Sequence, residues 1–157
     1  MKKSVALFAS LCALAVTAPA ASQDFSRAPA FGTITLTGGF DGDPRTVRVT
    51  AGGTLDASTL GSGCVGSMAN APDVRLQFTA SGSLPLIISV ASDEDTTLAI
   101  NRPDGTWVCD DDGGEQGTNP SIRFTPAMSG QYDIYIGHYA RGRRIPATLY
   151  ISEISSQ

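Results

Sequence analysis

The chain has 157 residues, a formal net charge of −4 and 17% charged residues. Its only lysines are Lys2 and Lys3, so beyond them every cation is an arginine and the balance is acidic. Neutralising a nucleic-acid backbone needs a basic surface, which excludes DNA or RNA as the expected partner.

The first 22 residues, MKKSVALFASLCALAVTAPAAS, read as a secretory signal peptide. Lys2 and Lys3 form a basic start, and Val5 to Val16 is an apolar stretch too short to span a bilayer. Small residues suited to cleavage follow as Ala18-Pro19-Ala20 or Ala20-Ala21-Ser22. Cys12 does not suit a lipid anchor, because Leu11 precedes it where a small residue is expected and it lies inside the apolar stretch. No later stretch is long and apolar enough for a membrane helix. The expected mature chain starts near Gln23, is exported to the periplasm or beyond, and at about 135 residues fits one domain, 23–157.

Downstream the pattern is β-rich. Strands are expected over 32–37, 46–51, 74–80, 84–91, 96–101, 106–109, 121–125, 131–139 and 147–153. Period-two alternation puts Val74, Leu76 and Phe78 on one face with Arg75 and Gln77 opposite, and groups Leu86, Ile88 and Val90 likewise. Such runs, with a turn every 8–12 residues or so, predict an all-β antiparallel sandwich or barrel of about eight or nine strands. The glycine-rich stretch 58–71 and the acidic stretch 110–120 are expected to be loops. No amphipathic helix and no fixed-period repeat is visible beyond the leader.

Cys64 and Cys109 remain after processing. An even cysteine count in an exported chain predicts that they are bridged, stabilising the fold by roughly 3–4 kcal/mol. The competing reading is two buried thiols.

The stretch SDEDTTLAINRPDGTWVCDDDGG carries the densest charge. Pro103-Asp104-Gly105 is a turn signal that should fold 96–101 back on 106–110. Pairing Asn101 with Thr106 would set Ala99 opposite Val108, Thr97 opposite Asp110 and Asp95 opposite Asp112. Asp93, Asp95, Asp110, Asp111 and Asp112 would then meet at one end as candidate ligands for calcium, which takes carboxylate and carbonyl oxygens. Neither an EF-hand loop nor a glycine-aspartate repeat is present, and the alternative is a solvated hairpin end whose side chains cap turns.

The inventory for catalysis is short. His138 is the chain's sole histidine, so any serine triad would have to use it, and the residues for a Ser-Lys dyad or a zinc site are lacking downstream of the leader. The aspartates could pair as in a glycosidase, but on an exposed loop with no apolar cleft implied. Trp107, Tyr132, Tyr135, Tyr139 and Tyr150 could form a sugar-stacking surface, or simply be core. Arg141, Arg143 and Arg144 cluster in YARGRRIPA, as a solvated loop or an anion site.

Four motifs occur in order: APDVRLQFTASG, SDEDTTLAINRPDGTWVCDDD, NPSIRF and SGQYDIYIG. Together they resemble the bacterial pre-peptidase C-terminal domain and the binding domains of secreted collagenases, over about 72–152. The matching residues are Asp93, Asp95, Thr96, Leu98, Pro103, Asp104, Gly105, Asp111, Asp112, Gly130 and Tyr132. The resemblance implies a jelly-roll-like sandwich, a non-catalytic accessory role and, in some relatives, bound calcium. The chain departs from the usual arrangement in having no peptidase attached and in adding Cys64 and Cys109. The expected function is an exported non-catalytic accessory module that binds a protein or a cell-envelope polymer, with calcium as its candidate stabilising ion. The competing classes are a secreted hydrolase and a structural envelope protein without a defined ligand.

Overall fold

The computed structural model describes residues 23–157, and the expected signal peptide lies outside them. Eleven strands form two packed sheets: β1 (Thr33–Thr37), β2 (Arg45–Ala51), β3 (Leu55–Asp56), β4 (Ser67–Met68), β5 (Val74–Thr79), β6 (Leu86–Ala91), β7 (Thr96–Asn101), β8 (Trp107–Asp110), β9 (Ser121–Phe124), β10 (Gly130–His138) and β11 (Ile145–Ser152). Nine of them fall where alternation predicts. The other two, β3 and β4, are two-residue pairings at the ends of the glycine-rich loop, which also holds a single 3-10 turn, Ala57–Thr59.

The larger sheet is organised around β10, with β5 and then β1 on one side and β7 and then β8 on the other. The smaller sheet runs β2-β11-β6-β9. The β1–β5 pair is parallel, a departure from the expected antiparallel arrangement. Side-chain alternation reports which face is buried but not which way a neighbour runs.

The core lies between the sheets. The larger sheet contributes Leu76, Phe78, Leu98, Ile100, Tyr132, Ile134 and Ile136, the smaller Leu86, Ile88, Val90, Ile122, Leu149 and Ile151. A second, smaller cluster lies on the outer face of the larger sheet, where Met68, Ala99 and Tyr135 are covered by Ala57, Leu60 and Cys64 of the loop between β3 and β4. The Cys64–Cys109 disulfide ties that loop to β8. With both faces covered, every residue of β7 is buried.

The β7–β8 hairpin differs by one residue from the expected register. Arg102 and Thr106 close the turn, with the Gly105 N–H donating to Arg102 O (2.9 Å) and the Arg102 N–H to Thr106 O (2.9 Å). Gly105 takes φ +79°, which makes this a three-residue loop with a bulge glycine. The observed pairs are Asn101–Trp107, Ile100–Val108, Ala99–Cys109 and Leu98–Asp110. Trp107 and Cys109 therefore join Ala99 in the outer cluster, while Val108 packs on the main core.

Candidate functional site

The loops that follow β6, β8 and β10 carry a dense group of charged side chains. Five carboxylates were expected to meet there; the structure distributes them. Asp110 ends β8 and is occupied as a cap, its Oδ2 accepting from the backbone N–H of Gly113 and of Ser121 (both 2.8 Å). Asp93 is exposed and lines a shallow cleft of about 390 Å³ with Arg48, Gln116 and Pro146. Asp95, Asp111 and Asp112 stay within each other's fields. Burial raises the pKa of Asp95, and the charges of Asp112 and Asp111 raise it further, against the opposing influence of His138. Asp111 is likewise raised by burial and then by Asp112 and Asp110. One oxygen of Asp95, Oδ1, is buried without a hydrogen-bond partner. Among the described residues no three His, Cys, Asp or Glu side chains are grouped so as to hold a metal ion.

Beside this acidic group stands the β10–β11 loop, Tyr139 to Arg144. Its conformation is set from below. His138 is 3% exposed and its Nδ1–H donates to Ala140 O (2.7 Å), which orients the ring so that Nε2 faces Glu94 Oε2 at 3.6 Å. Glu94 in turn takes both terminal nitrogens of Arg143, at 2.5 and 3.1 Å. Arg141 pairs with Asp56, and the Tyr139 N–H donates to Asp95 O (3.2 Å). At the base, Gly52 takes φ +97°, and any Cβ there would overlap the Arg143 carbonyl. Only glycine lets the loop sit this close to the end of β2.

The loop is pinned, but its side chains remain in solvent. Tyr139 is 53% exposed, and the side chains of Arg141 and Arg143 are 73% and 57% exposed. The arginines are thus a solvated loop in which two are already paired, rather than a converged anion site. Glu94 and Asp56, which brace them, lie 49 and 85 residues away in sequence, and no local pattern marks them.

Of the two readings of the aromatics, core and half-buried strand positions hold for four of the five. Tyr132 and Tyr135 are fully buried, and Trp107 is half-buried against Tyr135 with ring centroids 5.4 Å apart. Of the five, Tyr139 alone is exposed.

A further ionisable group comes from outside this constellation. Asp73, just before β5, is 2% exposed, and its Oδ2 accepts the Ile136 N–H of the central strand at 2.6 Å. Burial pushes its pKa up to about 7, against that hydrogen bond and the nearby charge of Arg144. In the sequence it looks like an ordinary turn aspartate after Pro72.

No family model matches the chain, and no curated protein matches it. Among solved structures it is similar to the crystal structure of Aeromonas hydrophila PliG, a periplasmic lysozyme inhibitor of g-type lysozyme. The two share 11% identity over 76% of this chain and 96% of that one, with a TM-score of 0.37. A likeness that low carries no argument about fold or function. Among the described residues no helix is long and apolar enough to cross a membrane.

Proposed function

We propose that this chain is an exported, non-catalytic β-sandwich that binds a protein or an envelope polymer, an accessory module of the pre-peptidase C-terminal kind. The observation that carries the reading is the braced loop from Tyr139 to Arg144. Exposed ion pairs contribute little to stability, typically about 1 kcal/mol or less, so Glu94 and Asp56 are poorly explained as staples. They do hold two guanidinium groups in place before any partner arrives, next to Tyr139, whose backbone N–H is tied to Asp95 O. Tyr and Arg are over-represented among the residues that dominate binding energy, and ordering them in advance reduces the entropy lost on association.

The hydrolase reading fares worse. His138 is buried, with Nδ1 committed to a backbone carbonyl and Nε2 turned to a carboxylate that already serves Arg143. Peptidase and glycosidase assays on the purified mature protein decide between the two. We expect no turnover; turnover abolished by His138→Ala would establish a hydrolase. Co-sedimentation with cell-wall polymer and pull-down from secreted proteins separate the two ligand classes. Failure to bind in either would favour a structural envelope protein.

Calcium is a second element of the proposal, supported by the uncompensated charge of Asp95, Asp111 and Asp112. A cation would have to draw these three together, since Asp110 is engaged as a cap and Asp93 faces the cleft by Arg48. At a hundredfold excess over Kd, binding to the folded state alone stabilises by about 2.7 kcal/mol, which is several degrees of Tm for a domain of this size. The expected result is a higher Tm in millimolar calcium than in chelator, a smaller response to magnesium, and loss of the shift in Asp95→Asn and Asp111→Asn. An unchanged Tm in the wild type, or the same shift in both variants, would leave these carboxylates as a solvated hairpin end.

A further inference from the structure

We infer that a cleft between the free edges of the two sheets takes an extended peptide, apolar on one face and acidic on the other, which adds as a strand beside β9. The site is separate from the braced loop: Met128, at its margin, lies just before β10, and Tyr139 follows the far end of that nine-residue strand. β8 pairs only with β7 and β9 only with β6, so the sandwich is open where these two edges meet. Val108, Ile122, Phe124, Pro126 and Met128 line a cleft of about 480 Å³ there. Ile122 and Phe124 belong to the main core, so an apolar side chain entering the cleft extends that core.

Hydrogen bonds define the open edge. The Val90 N–H donates to Pro120 O (3.1 Å), whereas the Ser121 N–H turns away from β6 to donate to Asp110 Oδ2 (2.8 Å). Backbone direction alternates along an antiparallel ladder, so Ile122 and Phe124 face β6, and Arg123 turns its N–H and C=O outward. Side chains alternate too: Ile122 and Phe124 point into the core, and Arg123 is exposed on the other face, opposite Ile87. A strand added here presents alternate side chains to the cleft and to Arg123. Charge selects the second set. The chain is acidic overall, yet Arg102 and Arg123 are the charged residues lining this cleft, and no carboxylate lines it. Among the described residues Arg123 makes no ion pair. The Arg102 guanidinium stacks 5.6 Å from the centroid of Phe124. Its Nη2 meets the Met128 thioether (3.0 Å), a weak acceptor, and Asp104 at 3.4 Å, while Nε is buried without a partner. It is short of acceptors, and an added strand brings carbonyl and carboxylate oxygens. A second copy of this chain fits poorly, since pairing β9 with β9 crowds two Arg123 side chains on one short edge.

The test uses three short fluorescent peptides on the mature protein: alternating valine and aspartate, valine and lysine, and serine and aspartate. Fluorescence anisotropy should show the valine–aspartate peptide binding about tenfold or more tighter than the other two. Arg123→Glu, at an exposed position, should leave Tm unchanged and reverse the order of the aspartate and lysine peptides. In the wild type, NMR hydrogen exchange at the Arg123 amide should slow when the valine–aspartate peptide binds. No binding, equal binding of all three peptides, indifference to Arg123→Glu, or unaltered exchange at that amide would each overturn the inference. The Tyr139→Ala/Arg141→Ala/Arg143→Ala variant should bind the peptide as the wild type does. Loss of binding there would move the peptide to the braced loop, overturning the cleft and leaving the proposed function standing.

Discussion

Replacing Cys64 and Cys109 together with serine is expected to cost about 4 kcal/mol, a large share of the total stability of a small domain. The bridge spans 45 residues of sequence, and closing a loop that long removes much of the unfolded chain's freedom. The native state also depends on it. Cys64 sits in the loop that covers Met68, Ala99 and Tyr135, and Cys109 sits on the edge strand β8 beside Trp107. Without the tether the loop's apolar side chains must hold the cover by themselves. Urea unfolding of oxidised wild type, reduced wild type and the double-serine variant checks this. The reduced and double-serine proteins should unfold at similar, much lower urea concentrations, with the two-sheet far-UV signature kept before the transition. Equal midpoints in all three would mean the bridge contributes nothing. Two alkylatable thiols in the unreduced native protein would mean that it does not form.

The second large effect is a pH dependence set by Asp73. Its folded pKa of about 7 lies above the value of about 3.9 expected for an unfolded aspartate. A raised folded pKa means that the native state binds the proton more tightly. The stabilisation from that proton is fully present below the unfolded pKa and is lost as pH rises through about 7. A difference of some three units corresponds to an upper limit on the order of 4 kcal/mol. Asp73→Asn keeps an oxygen that can accept the Ile136 N–H and removes the ionisation. Denaturation at pH 5 and pH 8 should therefore show wild type losing stability over that interval more steeply than the variant, with the variant the more stable of the two at pH 8. Parallel pH profiles for the two proteins would show that Asp73 titrates where an exposed aspartate does. Arg144→Ala should steepen the wild-type loss, because the arginine is the charge that favours the ionised form.

The strands were legible because burial follows alternation, and Val74, Leu76 and Phe78 lie inward with Arg75 and Gln77 outward as their spacing requires. The bridge was legible because only Cys64 and Cys109 lie beyond the expected leader, and two cysteines allow one pairing. The hairpin register was not. Pro103-Asp104-Gly105 announces a turn, but whether three or four residues close it depends on Arg102 pairing with Thr106, and a single step moves every opposing pair. That step matters less to the acidic end than the side chains' own hydrogen bonds. Spacing alone sets Asp110 beside Asp111 and Asp112, and only the fold brings the Ser121 N–H within reach of its carboxylate. The braces on Arg141 and Arg143, and the burial of Asp73, come from segments far apart in sequence and leave no local trace.

If the braced loop is the binding surface of a module without catalytic activity, its side chains must carry the affinity. The most direct measurement is the retention of envelope polymer and of secreted proteins by immobilised mature protein, wild type against a Tyr139→Ala/Arg141→Ala/Arg143→Ala variant of equal Tm. The expected result is a ligand retained intact by the wild type and weakened at least tenfold in the variant, about 1.4 kcal/mol, within the range of a single dominant contact. Equal retention by the two proteins would contradict it, because the binding surface would then lie elsewhere on the sandwich.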